Sequence, residues 1–250
     1  MILPQRFYRD EFCAERFHYK PGQHVLFGGP TQRGKTTLAF QLLEFCASSD
    51  CPAYVAVCKP DDPVSERWGK KLGFRRVETW PAPARIQELL RIEDGPPGYL
   101  VWPRFGDVNR DIAVASQVTR GLLEERYAAG ARRGRKKQPG ILVMDDTVVK
   151  SKVFKLDDIM TTHLAMAGAM QLGGWYFVQK PTGSGDAAIW AYGASEHLFL
   201  FYDPDIRNQR RYGEIGGVDP IYVRQILDQL GTYECLYIKR SGEMAIIDAR

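Results

Sequence analysis

Short apolar runs alternate along this chain with longer stretches of helical periodicity. His24 to Phe27 is predicted as the first clear strand, running into Gly28-Gly29-Pro30. A helix is predicted from Lys35 to Ala47, with Leu38, Leu42 and Phe45 on one face. Ala53 to Cys58 has no polar alternation, the pattern of a strand buried on both faces. Residues 60–106 read as strands and short helices broken by turns at Pro81, Pro83, Pro96 and Pro97, with Tyr99 to Trp102 a strand. Ile112, Ala115, Val118, Leu122 and Tyr127 lie near helical spacing and predict a helix from Asp111 to about Arg133. Ile141 to Met144 is a second buried strand, followed by a helix over Asp157 to Leu172 on Ile159, His163, Met166 and Met170. Trp175 to Val178 is another apolar strand, and a helix around Ala187 to Ala194 leads into the strand His197 to Phe201. After a helix from Asp219 to Leu230, Glu234 to Ile238 and Met244 to Ile247 flank Ser241-Gly242 as a closing hairpin.

Strands alternating with helices predict an α/β fold, a mostly parallel sheet with helices on both faces. No internal repeat interrupts it. Residues 1–20 are rich in aromatic and charged side chains and read as an arm against a neighbouring subunit or a strap over the core. Residues 21–250 then form one domain, a size a single α/β unit accommodates.

Composition narrows the classes. At 44% hydrophobic and 26% charged, the chain is ordinary for a globular protein. No apolar run reaches the ~18 residues of a membrane span, and the N-terminus lacks the apolar centre of a secretory signal. Five cysteines with no C-x-x-C pair suggest reduced thiols, and no His/Cys group has metal-ligand spacing. A net charge of +4 identifies no partner by itself.

Candidate chemistry is concentrated after the first strand. Gly29-Pro30-Thr31-Gln32-Arg33-Gly34-Lys35-Thr36, followed by Thr37, is a G-x-x-x-x-G-K-T loop between a predicted strand and a predicted helix. Such a loop turns its backbone N–H groups on phosphates, with Lys35 reaching the β- and γ-phosphates and Thr36 ligating Mg²⁺. The strand at 141–144 delivers Asp145 and Asp146 to its C-terminal edge, where parallel sheets bind ligands. Asp145 is expected to hold Mg²⁺. Asp146 is expected to polarise an attacking water, or else to cap the following helix. No guanine-reading N-K-x-D is found. The run Arg132 to Lys137, which resembles a kinase lid in composition, precedes the acidic strand instead of following it.

On these residues the chain resembles the FtsK–HerA superfamily of DNA-pumping ATPases. The loop Gly29 to Thr37 looks like the family's P-loop and Asp145-Asp146 like its Walker B acids. Gln179, ending the strand Trp175 to Val178, matches its sensor glutamine, and Thr162-His163-Leu164 resembles its "RHL" with Thr for Arg. The tail from Glu196 through Asp203, an Arg-bearing helix and the hairpin follow the same order, so the likeness spans about residues 22–248.

The resemblance implies a RecA-like (ASCE) P-loop NTPase using ATP and Mg²⁺. It further implies a pentameric or hexameric ring acting on double-stranded DNA, and a compact viral genome-packaging ATPase meeting a capsid portal or vertex protein in the host cytoplasm. Gln179 would sense the γ-phosphate. A neighbour's arginine would complete the site, with Arg207, Arg210 and Arg211 the first candidates and Arg104, Arg120 and Arg126 behind them. The run Arg132 to Lys137, or Lys150, Lys152 and Lys155, would grip DNA phosphates. Virion extrusion, secretion or conjugative transfer, and a small-molecule kinase, are the competing readings.

Overall fold

The computed structural model describes residues 3–82, 95–131, 138–180 and 186–248. The run Arg132 to Lys137 and Pro83 lie outside them. Ten strands among the described residues form one sheet: β1 (Arg6–Tyr8), β2 (Val25–Gly28), β3 (Ala53–Ala56), β4 (Arg75–Val77), β5 (Gly98–Val101), β6 (Gly140–Met144), β7 (Leu172–Val178), β8 (His197–Phe201), β9 (Glu234–Lys239) and β10 (Met244–Asp248). Their order is β1-β10-β9-β8-β2-β7-β6-β3-β5-β4, and β9 alone runs against its neighbours. The fold is therefore the mostly parallel α/β sheet with a terminal hairpin that the sequence predicts.

Alternate residues of the strands enter two cores. On one face Val25, Phe27, Val55, Val143, Phe177 and Phe199 meet helices α1 (Arg9–Glu15), α2 (Lys35–Cys46) and α3 (Pro63–Lys71). On the other, Leu26, Leu142, Met144, Tyr176, Leu198 and Leu200 meet α4 (Val108–Ala131), α5 (Asp157–Met166), α6 (Asp186–Ala194), α7 (Ile206–Gly216) and α8 (Pro220–Leu227). Burial on both faces explains why the central strands carry no polar alternation. Local chemistry sets several helix starts. Asp62, Asp205 and Asp219 each cap a helix by accepting a backbone N–H, from Ser65, Arg207 and Ile221. Pro63 and Pro220 supply the preformed φ of a first helical turn.

Several predicted details are corrected. Phe45 is half exposed, because the buried face of α2 turns instead through Leu38, Ala39, Leu42 and Leu43. Met166 is also half exposed; α5 buries Met160, His163 and Leu164, then tightens into a 3₁₀ turn over Ala167–Met170. A π-helical turn, Val149–Val153, separates the acidic strand end from α5. The first twenty residues contain both β1, paired parallel to β10, and α1. Phe12 and Phe17 pack their rings on Phe199, 6.1 and 5.7 Å between centroids, and Phe12 lies 4.8 Å from Tyr237.

Candidate functional site

The sheet order brings the separated motifs to one edge. β2 pairs with β7 on one side and β8 on the other, and β7 separates it from β6. Gly28 is level with Val178 and Leu200, so the loop after β2, Gln179 and Asp203 emerge side by side. The Gly29 N–H donates to the Val178 carbonyl at 3.0 Å and anchors the loop to β7.

Between β2 and α2 the backbone takes left-handed conformations at Gly29, Gln32 and Gly34, with φ of +143°, +61° and +88°. Pro30, Thr31, Gln32 and Arg33 form the outer span, and Arg33 lies over the Tyr202 ring at 5.4 Å. The first α2 bond runs from the Leu38 N–H to the Gly34 carbonyl, so the N–H groups of Lys35, Thr36 and Thr37 precede it. A helix opening of this kind attracts anions. The Lys35 ammonium is buried and donates to the carbonyls of Gly29, at 2.7 Å, and Pro30. Desolvation pulls its pKa down to about 8, while Asp145, Asp146 and Asp203 act in the opposite direction.

Asp145 and Asp146 leave β6 in different roles. Asp145 is buried, and Lys59 Nζ stands 3.1 Å from its Oδ2. That oxygen accepts no aligned hydrogen bond, so the lysine balances its charge by proximity. The Asp145 backbone carbonyl accepts from Lys150 Nζ. Asp146 has φ +49°, a sparsely occupied conformation for a residue other than glycine. Its Oδ1 accepts the Val149 N–H and its Oδ2 accepts Gln179 Nε2, each at 3.3 Å. One carboxylate thus caps the next turn and faces Gln179 together.

These side chains suit Mg²⁺ and a nucleoside triphosphate. The Asp145 oxygen and the Thr36 hydroxyl are hard donors. Among the described residues no group of three or more His, Cys, Asp or Glu could hold an ion unaided. Phosphates and water would complete the shell, as Mg²⁺ commonly requires.

The arginines lie apart. Arg207 pairs with Asp205 at 3.0 Å, and Arg210 and Arg211 pair with Glu214 at 3.3 and 3.1 Å. Arg104 pairs with Glu78, and Arg120 with Glu124. Arg126 is tied into its own chain, donating to Glu125 and, at 2.9 Å, to the Tyr54 hydroxyl, which removes it as a residue offered to a neighbour. Lys150 is fully buried and cannot grip DNA, whereas Lys152 and Lys155 are exposed. Sequence reasoning missed Lys59. Its signal is a charged residue just past the C-terminal end of a buried parallel strand.

No family model and no curated protein matches the chain. Solved structures do. The genome-packaging NTPase B204 of Sulfolobus turreted icosahedral virus 2, in complex with AMPPCP, matches at TM-score 0.53 and 11% identity, covering 91% of this chain and 98% of that one. B204 of Sulfolobus turreted icosahedral virus, a DNA-packaging ATPase, matches at 0.53 and 14%, over 91% and 98%. The cytoplasmic domain of the type VII secretion ATPase EccC of Thermomonospora curvata matches at 0.56 and 13%, over 94% of this chain and 26% of that one. The chain has the fold of these P-loop ATPases, the fold that its FtsK–HerA resemblance implies.

Proposed function

We propose that this protein is an ATP-hydrolysing motor that moves double-stranded DNA, packaging a viral genome into a capsid within the host cytoplasm. The carrying observation is the convergence of Lys35, Asp146 and Gln179 at one sheet edge, with Gln179 bonded to Asp146. Backbone N–H groups from Gly29 to Thr37 and the Lys35 ammonium bind the phosphates. Thr36 and Asp145 hold Mg²⁺, which neutralises charge on the transferred phosphoryl group when bound. Asp146 accepts a hydrogen bond from the attacking water and takes its proton, while Gln179 fixes that carboxylate and orients the water. Subunits form a pentameric or hexameric ring, and Arg207, Arg210 or Arg211 from the neighbour faces the γ-phosphate. The nearly complete mutual coverage with B204 supports the packaging reading.

The test is Mg²⁺-dependent ATP turnover with and without double-stranded DNA. DNA should stimulate it several-fold, and Lys35→Ala should lower it about a hundredfold or more. Turnover that DNA neither stimulates nor accompanies by binding, even with the capsid portal protein present, sinks the motor reading. The EccC likeness supports a second reading, an ATPase that exports protein. Stimulation by a protein substrate and not by DNA would favour it. Phosphate transfer to a metabolite would favour a kinase.

A further inference from the structure

Lys59 is placed between two buried carboxylates. Its ammonium is 3.1 Å from Asp145 Oδ2 and 3.9 Å from Asp62 Oδ2. Asp145 is 4% exposed and Asp62 6%. Asp62 is fixed by the Ser65 N–H and hydroxyl, both at 3.1 Å, as the cap of α3. The Lys59 backbone is fixed too: the buried Trp102 indole N–H donates to its carbonyl at 2.8 Å. Its side chain is 45% exposed, so it has room to move while the backbone is held. Lys150 and Lys35 make their described hydrogen bonds to backbone carbonyls, leaving Lys59 as the described ion-pair partner of the Asp145 carboxylate.

A buried carboxylate without a compensating cation is strongly unfavourable. The same carboxylate is the one that the nucleotide-site reading gives to a divalent ion, and a lysine paired with it competes with that ion for its charge. We infer that Lys59 is a resident cation at Asp145 that exchanges with the divalent ion and moves to Asp62 when the ion binds. This inference rests on the nucleotide-site reading above. The exchange keeps Asp145 compensated in both states, and it makes metal affinity depend on a lysine that makes no described hydrogen bond or ion pair with the phosphate loop, although its charge is felt at Lys35. A competitor lowers apparent affinity by its own hold on the site, and an alternative partner for the competitor raises it. The two neighbours of Lys59 therefore act in opposite directions.

The experiment is Mn²⁺ binding to the intact protein with saturating ADP, read by electron paramagnetic resonance of the free ion. Lys59→Met should bind Mn²⁺ about two- to fivefold tighter than wild type, the upper part of the range an exposed ion pair commands. Lys59→Arg keeps a cation there and should restore the wild-type value or fall below it. Asp62→Asn keeps the helix cap but removes the second carboxylate, and should bind Mn²⁺ several-fold more weakly. Melting in EDTA with each variant establishes that it is folded, and Lys59→Gln serves if Lys59→Met is not. Equal or weaker Mn²⁺ binding by the neutral Lys59 variants, or unchanged binding by Asp62→Asn, overturns the exchange while leaving the nucleotide site intact. A wild-type protein that binds neither ADP nor Mn²⁺ overturns both.

Discussion

Gly29 and Gly34 both need left-handed backbone, yet they face different surroundings. A Cβ at Gly29 would stand 2.9 Å from the Cβ of Phe201, at φ +143°. A Cβ at Gly34 would meet nothing within 4 Å, at φ +88°. Gly29→Ala therefore adds a clash with a buried strand residue to the backbone strain and should cost about 3 kcal/mol. Gly34→Ala carries the strain alone and should cost about 1 kcal/mol. Urea unfolding of the two variants measures the difference, and equal midpoints would contradict it. Both should lose nucleotide affinity, because both residues shape the loop. The phosphate loop is legible in sequence because its chemistry is local: eight consecutive residues carry the turn, the ammonium and the hydroxyl. Lys59 is not legible in this way. Its meaning comes from Asp145, far along the chain, and only the pairing of β3 with β6 brings the two together. Lys150 misleads for the same reason, since its distance from Asp145 in sequence is short but its burial is set by tertiary packing.

At the scale of elements, the long-period and apolar patterns are legible, and the failures are at edges. β1 and β4 have three residues each, too few to present a period, and take their strand geometry from β10 and β5. The buried stripe of α5 differs from the predicted one because α4, α6 and the 3₁₀ turn pack against it and select Met160, His163 and Leu164. His163 belongs to a set of buried histidines that join these elements. His24, at the foot of β2, accepts the Gly174 N–H at 2.8 Å. His163 on α5 meets the Tyr176 hydroxyl on β7 at 3.2 Å, and His197 on β8 meets that of Tyr237 on β9 at 2.8 Å. Burial lowers their pKa values to about 4, 3 and 4, against 6.5 in the unfolded chain. Below pH 6.5 the unfolded state binds protons that the folded state refuses. Their contribution is thus fully present above that value and is lost as pH falls towards 4. Each should cost about 1 kcal/mol per pH unit in this window, roughly 3 kcal/mol together. Chemical denaturation at pH 7 and pH 5.5 measures the loss. His197→Asn should remove about a third of that slope, and a flat profile would refute the account.

For the molecule as a whole, the sheet order matters more than any single element. Placing β7 between β2 and β6 aligns Gln179 with both the phosphate loop and Asp146. Arg207, Arg210 and Arg211 sit on α7, after β8, and their ion pairs with Asp205 and Glu214 are largely exposed. Exposed pairs of this kind contribute about 1 kcal/mol or less, so these side chains can change partner at little cost. If one of them serves the next subunit's phosphoryl group, its loss acts on a neighbour's site and leaves its own intact. Replacing it with alanine should lower turnover of the pure variant about a thousandfold while nucleotide binding and folding stay near wild type. Mixed rings separate this from an effect within one chain. Variant subunits that also carry Lys35→Ala contribute no turnover of their own and, in a trans arrangement, also silence the wild-type site they face. Activity should then fall more steeply than the wild-type fraction as such subunits are added, for one of the three positions and not for the other two. A linear fall at all three would place the stabilising cation elsewhere.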